Sequence, residues 1–300
     1  MIGIDLGSNT IRIVKIDCKT YEKLGEYEKI IKTADRLIET GVISTGAIER
    51  IVNALNEAKE KIDFNDEINA VATEALRRAK NKDEVLRIIK EKTGVEFKII
   101  SPEEEASLTA KAVQVCLDKQ KIETKSFLLI DIGGGSTEIT LKHKDDIITQ
   151  SFRLGIVTLT QRYKTPETIK YVIKKKTKEI KDFIDMLFNT YKKPKIFVAS
   201  SGTPTSIAAL KKGLDYFTYD PAKINGSVVT PDDLDIWLEK LMKMEMKKRE
   251  KLVGVGRGDL IITGIYIYKE IFRITKYNEC IVCDDGVREG AAYSKCEMEN

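Results

Sequence analysis

Two short stretches of the chain combine an acidic residue, a glycine-rich bend and hydroxyl side chains in the same order. One is FLLIDIGGGSTEIT at Phe127–Thr140, and the other is IGIDLGSNTIRIVKI at Ile2–Ile16. A glycine-rich bend between strands leaves consecutive backbone N–H groups pointing outward, and the missing Cβ atoms let a phosphate approach closely. An aspartate at the end of the first strand suits Mg²⁺ or a metal-bound water. Each stretch therefore predicts a phosphate-binding hairpin.

The two hairpins are related to each other. IDLGSNT at Ile4–Thr10 aligns with IDIGGGST at Ile130–Thr137 once a single inserted residue is allowed. One glycine-rich hairpin is a weak signal, whereas two related ones about half a chain apart indicate an internal duplication. We expect the two bends to face each other across an interdomain cleft and to hold a phosphate chain from both sides.

The bends must be positioned by the strands and helices around them. Patterns typical of strands and of helices alternate along the chain. The predicted strands are Ile2–Ile16, Glu26–Thr33, Ile68–Ala72, Phe97–Ser101, Ser126–Asp131, Glu138–Lys142, Ile147–Arg153, Lys195–Ala199 and Glu279–Cys283. The predicted helices are Ser44–Lys61, Asn81–Thr93, Pro102–Cys116, Pro166–Asn189, Pro204–Lys211, Pro231–Lys243, Asp259–Ile274 and Val287–Lys295. This alternation predicts an α/β fold with mixed sheets flanked by helices.

Length and composition exclude several classes of protein. The length of 300 residues predicts two domains. The net charge of +4 does not indicate a nucleic-acid partner. No run of 18 apolar residues and no signal-peptide pattern is present, so we expect a cytoplasmic protein without a membrane partner. The single histidine, His143, lies in a predicted turn, which disfavours Ser–His–Asp catalysis and assigns acid–base chemistry to carboxylates.

The five cysteines point to no particular chemistry. Their odd number and irregular spacing make a poor disulfide framework. Cys280 and Cys283 form a C-x-x-C pair that could be half of a zinc site or a redox pair. No second pair completes a metal site, and the surrounding run is apolar and strand-like, so we interpret both as structural residues.

Two basic runs, Lys174–Lys181 and Lys243–Lys251, fall on predicted helices or at their ends. The simpler interpretation is a solvated helix face. The alternative is a docking surface for a polyanion, which would make substrate affinity depend on salt.

Further stretches occur in a fixed order between and after the hairpins. They are VATEALRRAKN (Val71–Asn81), GVEFKIISPEEEA (Gly94–Ala106), FRLGIVTLTQRY (Phe152–Tyr163), ASSGTPTSIAAL (Ala199–Leu210), GRGDLIITG (Gly256–Gly264) and DDGVREGAAY (Asp284–Tyr293). With the hairpins, they resemble the exopolyphosphatase/guanosine pentaphosphate phosphohydrolase (Ppx/GppA) family of the actin/Hsp70/sugar-kinase superfold over essentially the whole chain.

The resemblance implies an architecture. It consists of two duplicated actin-like, ribonuclease H-like domains, with the active site in the cleft between them. We place the N-terminal domain at residues 1–122 together with a C-terminal helix at about 286–300. The C-terminal domain then covers residues 123–285. A homodimer is also implied by the family.

The resemblance also implies roles for individual residues. Glu105 matches the catalytic base that activates water, and Asp131 and Glu138 match acids that position Mg²⁺ and the water. Asp5 matches the metal-binding acid of the first hairpin. The residues matched to phosphate binding are Gly7, Ser8, Asn9, Thr10, Arg12, Arg77, Gly133, Gly134, Gly135, Ser136, Thr137, Gly202, Thr203 and Arg257. From the residue pattern alone, Glu103–Glu105 equally suit the positive N-terminus of a helix.

The implied activity is hydrolysis of a phosphoanhydride, with Mg²⁺ or another divalent cation as cofactor. The first candidate substrate is inorganic polyphosphate, and the second is guanosine pentaphosphate. A non-hydrolytic alarmone-binding regulator is a third possibility, and an ATP-dependent kinase or filament-forming ATPase of the wider superfold is a fourth.

Overall fold

A computed structural model describes residues 1–122, 125–163, 165–200 and 202–296. The strands are β1 (Ile2–Leu6), β2 (Thr10–Ile16), β3 (Lys23–Ile30), β4 (Ile68–Ala72), β5 (Phe97–Ile99), β6 (Ser126–Ile132), β7 (Thr137–His143), β8 (Asp146–Phe152), β9 (Ile196–Ser200), β10 (Ser227–Val229) and β11 (Cys280–Cys283). The helices are α1 (Leu37–Thr40), α2 (Thr45–Lys61), α3 (Glu74–Arg78), α4 (Lys82–Thr93), α5 (Pro102–Lys119), α6 (Ile156–Arg162), α7 (Pro166–Lys176), α8 (Lys178–Tyr191), α9 (Gly202–Lys211), α10 (Pro221–Ile224), α11 (Pro231–Met242), α12 (Met246–Val253), α13 (Leu260–Thr275) and α14 (Val287–Cys296). None of the helices in this described part is long and apolar enough to cross a membrane.

The chain divides into two compact units. Unit 1 contains residues from Met1 to Ala112 and the chain from Gly286 onward, and unit 2 contains Val113–Asp285. The division falls within α5, because that helix begins in unit 1 and ends in unit 2. The domain limits expected from the sequence stay a prediction.

Unit 1 is built on a sheet of order β3-β2-β1-β4-β5. β1 runs antiparallel to β2 and parallel to β4, so the sheet is mixed. Alternate residues of β1 and β2 are apolar and fully buried, as are Ile51 and Leu55 on the inner face of α2. Burial of these side chains, at about 25 cal/mol per Å² of apolar surface, fixes the strand register and hence the position of Asp5.

Unit 2 repeats the arrangement with a sheet of order β10-β11-β9-β6-β7-β8. β6 is antiparallel to β7 and parallel to β9, as β1 is to β2 and β4. Its core joins the sheet to the buried faces of α8, α9 and α13, with Phe197 and Tyr268 among the large side chains. The predicted α/β fold with mixed sheets is confirmed in both units.

One predicted helix is interrupted in the structure. The predicted helix Pro166–Asn189 is two helices, α7 and α8, which meet at Thr177. The buried hydroxyl of Thr177 donates to the carbonyl of Ile173 over 3.0 Å and contacts the carboxylate of Glu270 at 3.2 Å. The break is therefore stabilised by a tertiary contact with α13, which a local pattern does not show.

The expectation that the cysteines make a poor disulfide framework is wrong for one pair. Cys18 and Cys296 form a disulfide between the turn after β2 and the end of α14. The spacing gave no signal because the two residues are 278 positions apart. Cys280 and Cys283 are buried in β11, and the Cys283 Sγ lies 2.7 Å from that of Cys116, in keeping with a structural role.

Candidate active site

The first glycine bend is held in unit 1 by backbone hydrogen bonds. The Gly7 N–H donates to the Thr10 carbonyl over 3.0 Å, which closes the turn between β1 and β2. The Asn9 carbonyl accepts from the N–H groups of Ile31 and Lys32 at 2.8 and 2.9 Å, and the Ser8 carbonyl accepts from Ala34 at 2.9 Å. The loop carbonyls are thus occupied by the segment after β3. The structure places Gly7, Ser8, Asn9 and Thr10 in one turn, as the sequence indicated.

Asp5 lies in β1 immediately before this turn, with Arg12 of β2 as its cross-strand partner. Its Oδ1 atom is buried and has no hydrogen-bond partner among the described residues. Burial raises the pKa of Asp5 to about 7, which the positive charge of Arg12 opposes and the negative charge of Glu105 reinforces. An uncompensated buried carboxylate is unfavourable unless a cation or a proton joins it.

Glu105 sits in the first turn of α5 and is paired with Arg77 of α3. The Arg77 Nη1 donates to Glu105 Oε2 over 2.9 Å and also to the Ile100 carbonyl over 2.7 Å. The Arg77 side chain is 19% exposed and that of Glu105 is 32% exposed, so the pair is half-buried while solvent still reaches the carboxylate. Sequence reasoning assigned Arg77 to phosphate, whereas in this structure its guanidinium contacts the candidate base.

The two neighbouring acids of α5 have other partners. Glu104 pairs with Lys98 at 2.6 Å and accepts from the Ser101 N–H at 2.9 Å, while Glu103 is exposed. Both therefore fit the helix-terminus role that the residue pattern allowed. Of the three acids, Glu105 is the one whose carboxylate forms a 2.9 Å ion pair with an arginine.

A buried charged group on α14 was not anticipated as part of this region. Glu289 is 1% exposed and pairs with Arg288 at 2.7 Å and with Lys23 at 3.0 Å. Burial alone would raise the pKa of Glu289, but these two cations and the Gly286 N–H hold it at about 2. The charges of Arg288 and Glu289 both act on Asp5, so α14 contributes to its electrostatics. In the sequence, Glu289 lies within DDGVREGAAY, which carries part of the family resemblance but does not identify Lys23 as a partner.

The second glycine bend is held in unit 2 in a comparable way. The Gly133 N–H donates to the Ser136 carbonyl over 2.9 Å, and the Gly133 and Gly134 carbonyls accept from the first N–H groups of α6. A Cβ atom at Gly155 would lie 2.2 Å from the Gly135 carbonyl carbon, so this position needs a glycine to let the bend approach α6. Gly134 and Gly135 are exposed, and their backbone is the accessible part of the loop.

Asp131 and Glu138 are cross-strand partners on β6 and β7, flanking the bend. Glu138 also accepts from the Ser151 hydroxyl over 2.6 Å. Thr137 behaves differently from the prediction for a phosphate ligand, because its side chain is fully buried and its hydroxyl donates to the Leu154 carbonyl over 2.6 Å. Thr137 therefore has only its backbone to offer a phosphate.

Gly202, Thr203 and Arg257 lie close together in unit 2. A Cβ atom at Gly202 would be 3.3 Å from the Arg257 Nη2. Thr203 is buried, and its Oγ1 would lie 1.9 Å from a Cβ placed at Gly264 of α13, so the threonine packs where the helix lacks a side chain. The structure therefore brings Gly202 next to the Arg257 guanidinium, whereas Thr203 has a packing role.

The donor set can be tested for a divalent cation. Among residues 1–122, 125–163, 165–200 and 202–296, no three His, Cys, Asp or Glu side chains are grouped so as to hold a metal ion. Mg²⁺ commonly keeps several waters and binds through one or two carboxylates plus substrate phosphates. The buried, unpartnered oxygen of Asp5 and the adjacent carboxylates of Asp131 and Glu138 fit that pattern, one set in each unit.

Residues 12–299 match the Ppx/GppA phosphatase family. The chain belongs to the Ppx/GppA phosphatase family. The actin-like fold expected from the resemblance is confirmed by a crystal structure of the Aquifex aeolicus family member, with a TM-score of 0.79 and 31% identity over 100% of this chain and 98% of that one. As a Ppx/GppA protein the chain is a phosphoanhydride hydrolase.

Curated Ppx/GppA relatives differ in how much of their length this chain spans. Exopolyphosphatase 2 of Mycobacterium tuberculosis is 26% identical, with 97% of both chains covered. A bifunctional 3-dehydroquinate synthase/phosphatase of Fusobacterium nucleatum is 27% identical over 90% of this chain, which spans only 42% of that relative. The match to the first relative extends over nearly its whole length, and the match to the second covers less than half of it.

Proposed function

We propose that this Ppx/GppA protein removes the terminal orthophosphate from inorganic polyphosphate, with Glu105 as the base that activates water. The observation that carries the proposal is the 2.9 Å pair between Arg77 and Glu105, on the same unit as the Gly7–Thr10 loop and the buried Asp5. The name of the Mycobacterium tuberculosis relative supports the choice of polyphosphate. The chain's own loops support a substrate made of phosphates.

In the proposed reaction, the Glu105 carboxylate accepts a proton from a water molecule as the water oxygen bonds to the terminal phosphorus. The bond from that phosphorus to the bridging oxygen breaks, which releases orthophosphate and a chain shorter by one phosphate. Hydrolysis of this kind needs alignment of the water and stabilisation of charge on phosphate oxygens more than covalent chemistry. Arg77 positions the base through its charge-assisted hydrogen bond to one carboxylate oxygen of Glu105.

Charge on the substrate is proposed to be met by backbone and by cations. The exposed backbone of Gly134 and Gly135 and the turn at Gly7–Thr10 supply N–H groups, and Arg12 and Arg257 supply guanidinium groups suited to phosphate oxygens. When bound, Mg²⁺ would neutralise phosphate oxygens, with Asp5 the candidate to hold it in unit 1 and Asp131 and Glu138 the candidates in unit 2.

The test is phosphate release by Glu105→Gln compared with Glu103→Gln, a matched change in the same helical turn. We expect Glu105→Gln to lower kcat by about 10²–10⁴-fold, the usual contribution of a general base. Glu103→Gln should stay within about twofold of the unmodified protein, because its exposed side chain serves the helix terminus. Full activity in Glu105→Gln, with the fold intact by circular dichroism, would remove Glu105 from the reaction.

The substrate is tested by a panel of tripolyphosphate, long polyphosphate, guanosine pentaphosphate and ATP, each with and without Mg²⁺. The proposal expects the highest kcat/KM for a polyphosphate and a requirement for the divalent cation. A higher kcat/KM for guanosine pentaphosphate would instead assign the second candidate activity. Tight binding of guanosine tetraphosphate with no turnover of any substrate would indicate a regulator.

We also propose, independently of the reaction, that the protein forms the homodimer that the family resemblance implies. Sedimentation equilibrium of the full chain should give twice the 33.9 kDa monomer mass. A monomer at all concentrations would contradict it without affecting the assignment of Glu105.

A further inference from the structure

A cavity of about 270 Å³ opens in unit 2 among three helices, α7, α11 and α13. Four of its lining residues are cationic: Lys170, Lys174, Lys269 and Arg273. None of the candidate active-site residues lines it. Because a helix rises about 1.5 Å per residue, Lys269 lies about 8 Å along α13 from Gly264, the residue that Thr203 contacts.

The carboxylate that lines the cavity, that of Glu270, is paired mainly with one cation, Arg273. Glu270 is buried, and its carboxylate accepts two hydrogen bonds from Arg273, at 2.8 and 3.0 Å. Lys269 pairs with the exposed Asp235 on α11. Glu167 on α7 adds a further negative charge near the Tyr266 hydroxyl, whose pKa is raised by burial and by that charge.

Two cations at the cavity have no such partner. The ammonium groups of Lys170 and Lys174 make no ion pair or hydrogen bond with any residue in the described ranges. They lie one helical turn apart on α7, so both point to the same side. Burial, and after it the nearby charge of Lys170, lowers the pKa of Lys269. An anion in the cavity would relieve this repulsion.

The remaining wall of the cavity is apolar and aromatic. Ile173 is 1% exposed, and Leu238 and Tyr266 are half-buried beside it. A site for an inorganic phosphate chain needs cations and an open track but no apolar wall. A concave pocket with an aromatic ring and a few polar groups instead suits a compact ligand that has both a ring and a charged part.

We propose that this cavity binds a nucleoside polyphosphate, with its phosphates on Lys170 and Lys174 and its base against Tyr266 and Leu238. The proposal separates the basic run Lys174–Lys181 into two parts. All three of Lys174, Lys175 and Lys176 are exposed, but only Lys174 lines the cavity. It does not depend on which substrate is hydrolysed.

The single tryptophan of the chain, Trp237, provides a local readout because it precedes Leu238 on α11. We suggest titrating the full chain carrying Glu105→Gln, which slows turnover, with the β,γ-methylene analogue of GTP, using tryptophan fluorescence excited at the red edge of the band. Tripolyphosphate is the comparison ligand, since it carries the charges without a ring. Phosphate release is assayed in parallel. That assay tests the proposed hydrolase activity, whereas the fluorescence titration tests ligand binding at the cavity, so the failure of one proposal can be distinguished from the failure of the other.

The matched variants are the double change Lys170→Glu with Lys174→Glu and the control Lys175→Glu with Lys176→Glu. We expect the first to weaken nucleotide affinity at least about tenfold, the equivalent of one lost charge-assisted hydrogen bond, and the control to leave it within about twofold.

Tyr266→Ala should weaken binding of the nucleotide analogue but not of tripolyphosphate. Equal losses in the two double variants, or no saturable fluorescence change, would overturn the site. Equal affinity for both ligands with no effect of Tyr266→Ala would overturn its assignment to a nucleotide.

Discussion

Arg77 donates a hydrogen bond to the carboxylate of Glu105 over 2.9 Å while the same Nη1 atom contacts the Ile100 carbonyl over 2.7 Å. The guanidinium is thereby anchored to the backbone that leads into α5, and it presents a fixed partner to the carboxylate. Arg77 is a positioning residue in this arrangement, since its effect on the reaction passes through Glu105.

Removal of this anchor should reduce turnover more than substrate affinity. We expect Arg77→Gln to lower kcat by about 10–100-fold with a smaller change in KM, because a misplaced base affects the transition state rather than binding. Arg77→Lys should recover only part of the loss, since the flexible lysine ammonium lacks the planar guanidinium and would not hold the Glu105 carboxylate and the Ile100 carbonyl in the same geometry. Steady-state phosphate release measures both constants. A rise in KM with unchanged kcat would instead support the phosphate-clamp role predicted from the sequence.

The stability of unit 1 should depend on pH through Asp5. Its pKa is about 7 in the folded chain against an ordinary value of 3.8, so between these pH values the folded state holds a proton that the unfolded state has lost. The free energy of unfolding contributed by Asp5 therefore falls as pH rises from about 4 to 7 and is constant above that.

Asp5→Asn removes this dependence. In chelator-treated protein, we expect the variant to be more stable than the unmodified chain at pH 8, by up to roughly 4 kcal/mol, and nearly equal to it at pH 4. Glu289, with a pKa of about 2, loses its stabilising effect only below about pH 4.5 and does not disturb the comparison above pH 5. Chemical denaturation at a series of pH values checks the expectation, and a constant difference across the series would contradict it.

Close packing of α14 gives a matched pair of glycine substitutions. A Cβ atom at Gly290 would lie 1.9 Å from the backbone carbonyl oxygen of Leu108 on α5, whereas one at Gly286 meets nothing within 4 Å. We expect Gly290→Ala to lower the free energy of unfolding by about 1–3 kcal/mol, because backbone must move apart. Gly286→Ala should change it by less than about 0.5 kcal/mol. Equal denaturation midpoints for the two variants would show that α14 packs less closely than described.

The two glycine bends could be predicted because their signals are local. Apolar runs define the strands, glycines mark the turn, and the antiparallel register then makes Asp131 and Glu138 neighbours. The pairing of Arg77 with Glu105 could not be read this way, because the two residues are 28 positions apart and belong to different helices. Only their tertiary placement shows that the arginine contacts the base.

Hydroxyl side chains show a second limit of the sequence pattern. Thr137 and Thr203 have the residue type expected at a phosphate site, yet one donates inward to Leu154 and the other packs against Gly264. A sequence motif gives a residue's type and its place in the turn, but not the direction of its side chain. Both threonines are buried, and this burial determines what their hydroxyl groups contact. Burial depends in turn on elements that are distant in the sequence.

The bond between Cys18 and Cys296 changes the topology of the polypeptide. Every residue of unit 2 lies between these two positions, so in the oxidised protein the whole of unit 2 is part of a covalent ring. A single proteolytic cut within unit 2 opens the ring without separating the pieces. A nicked sample should therefore run as one species of intact mass on a denaturing gel without reductant, and as two fragments once the bond is reduced.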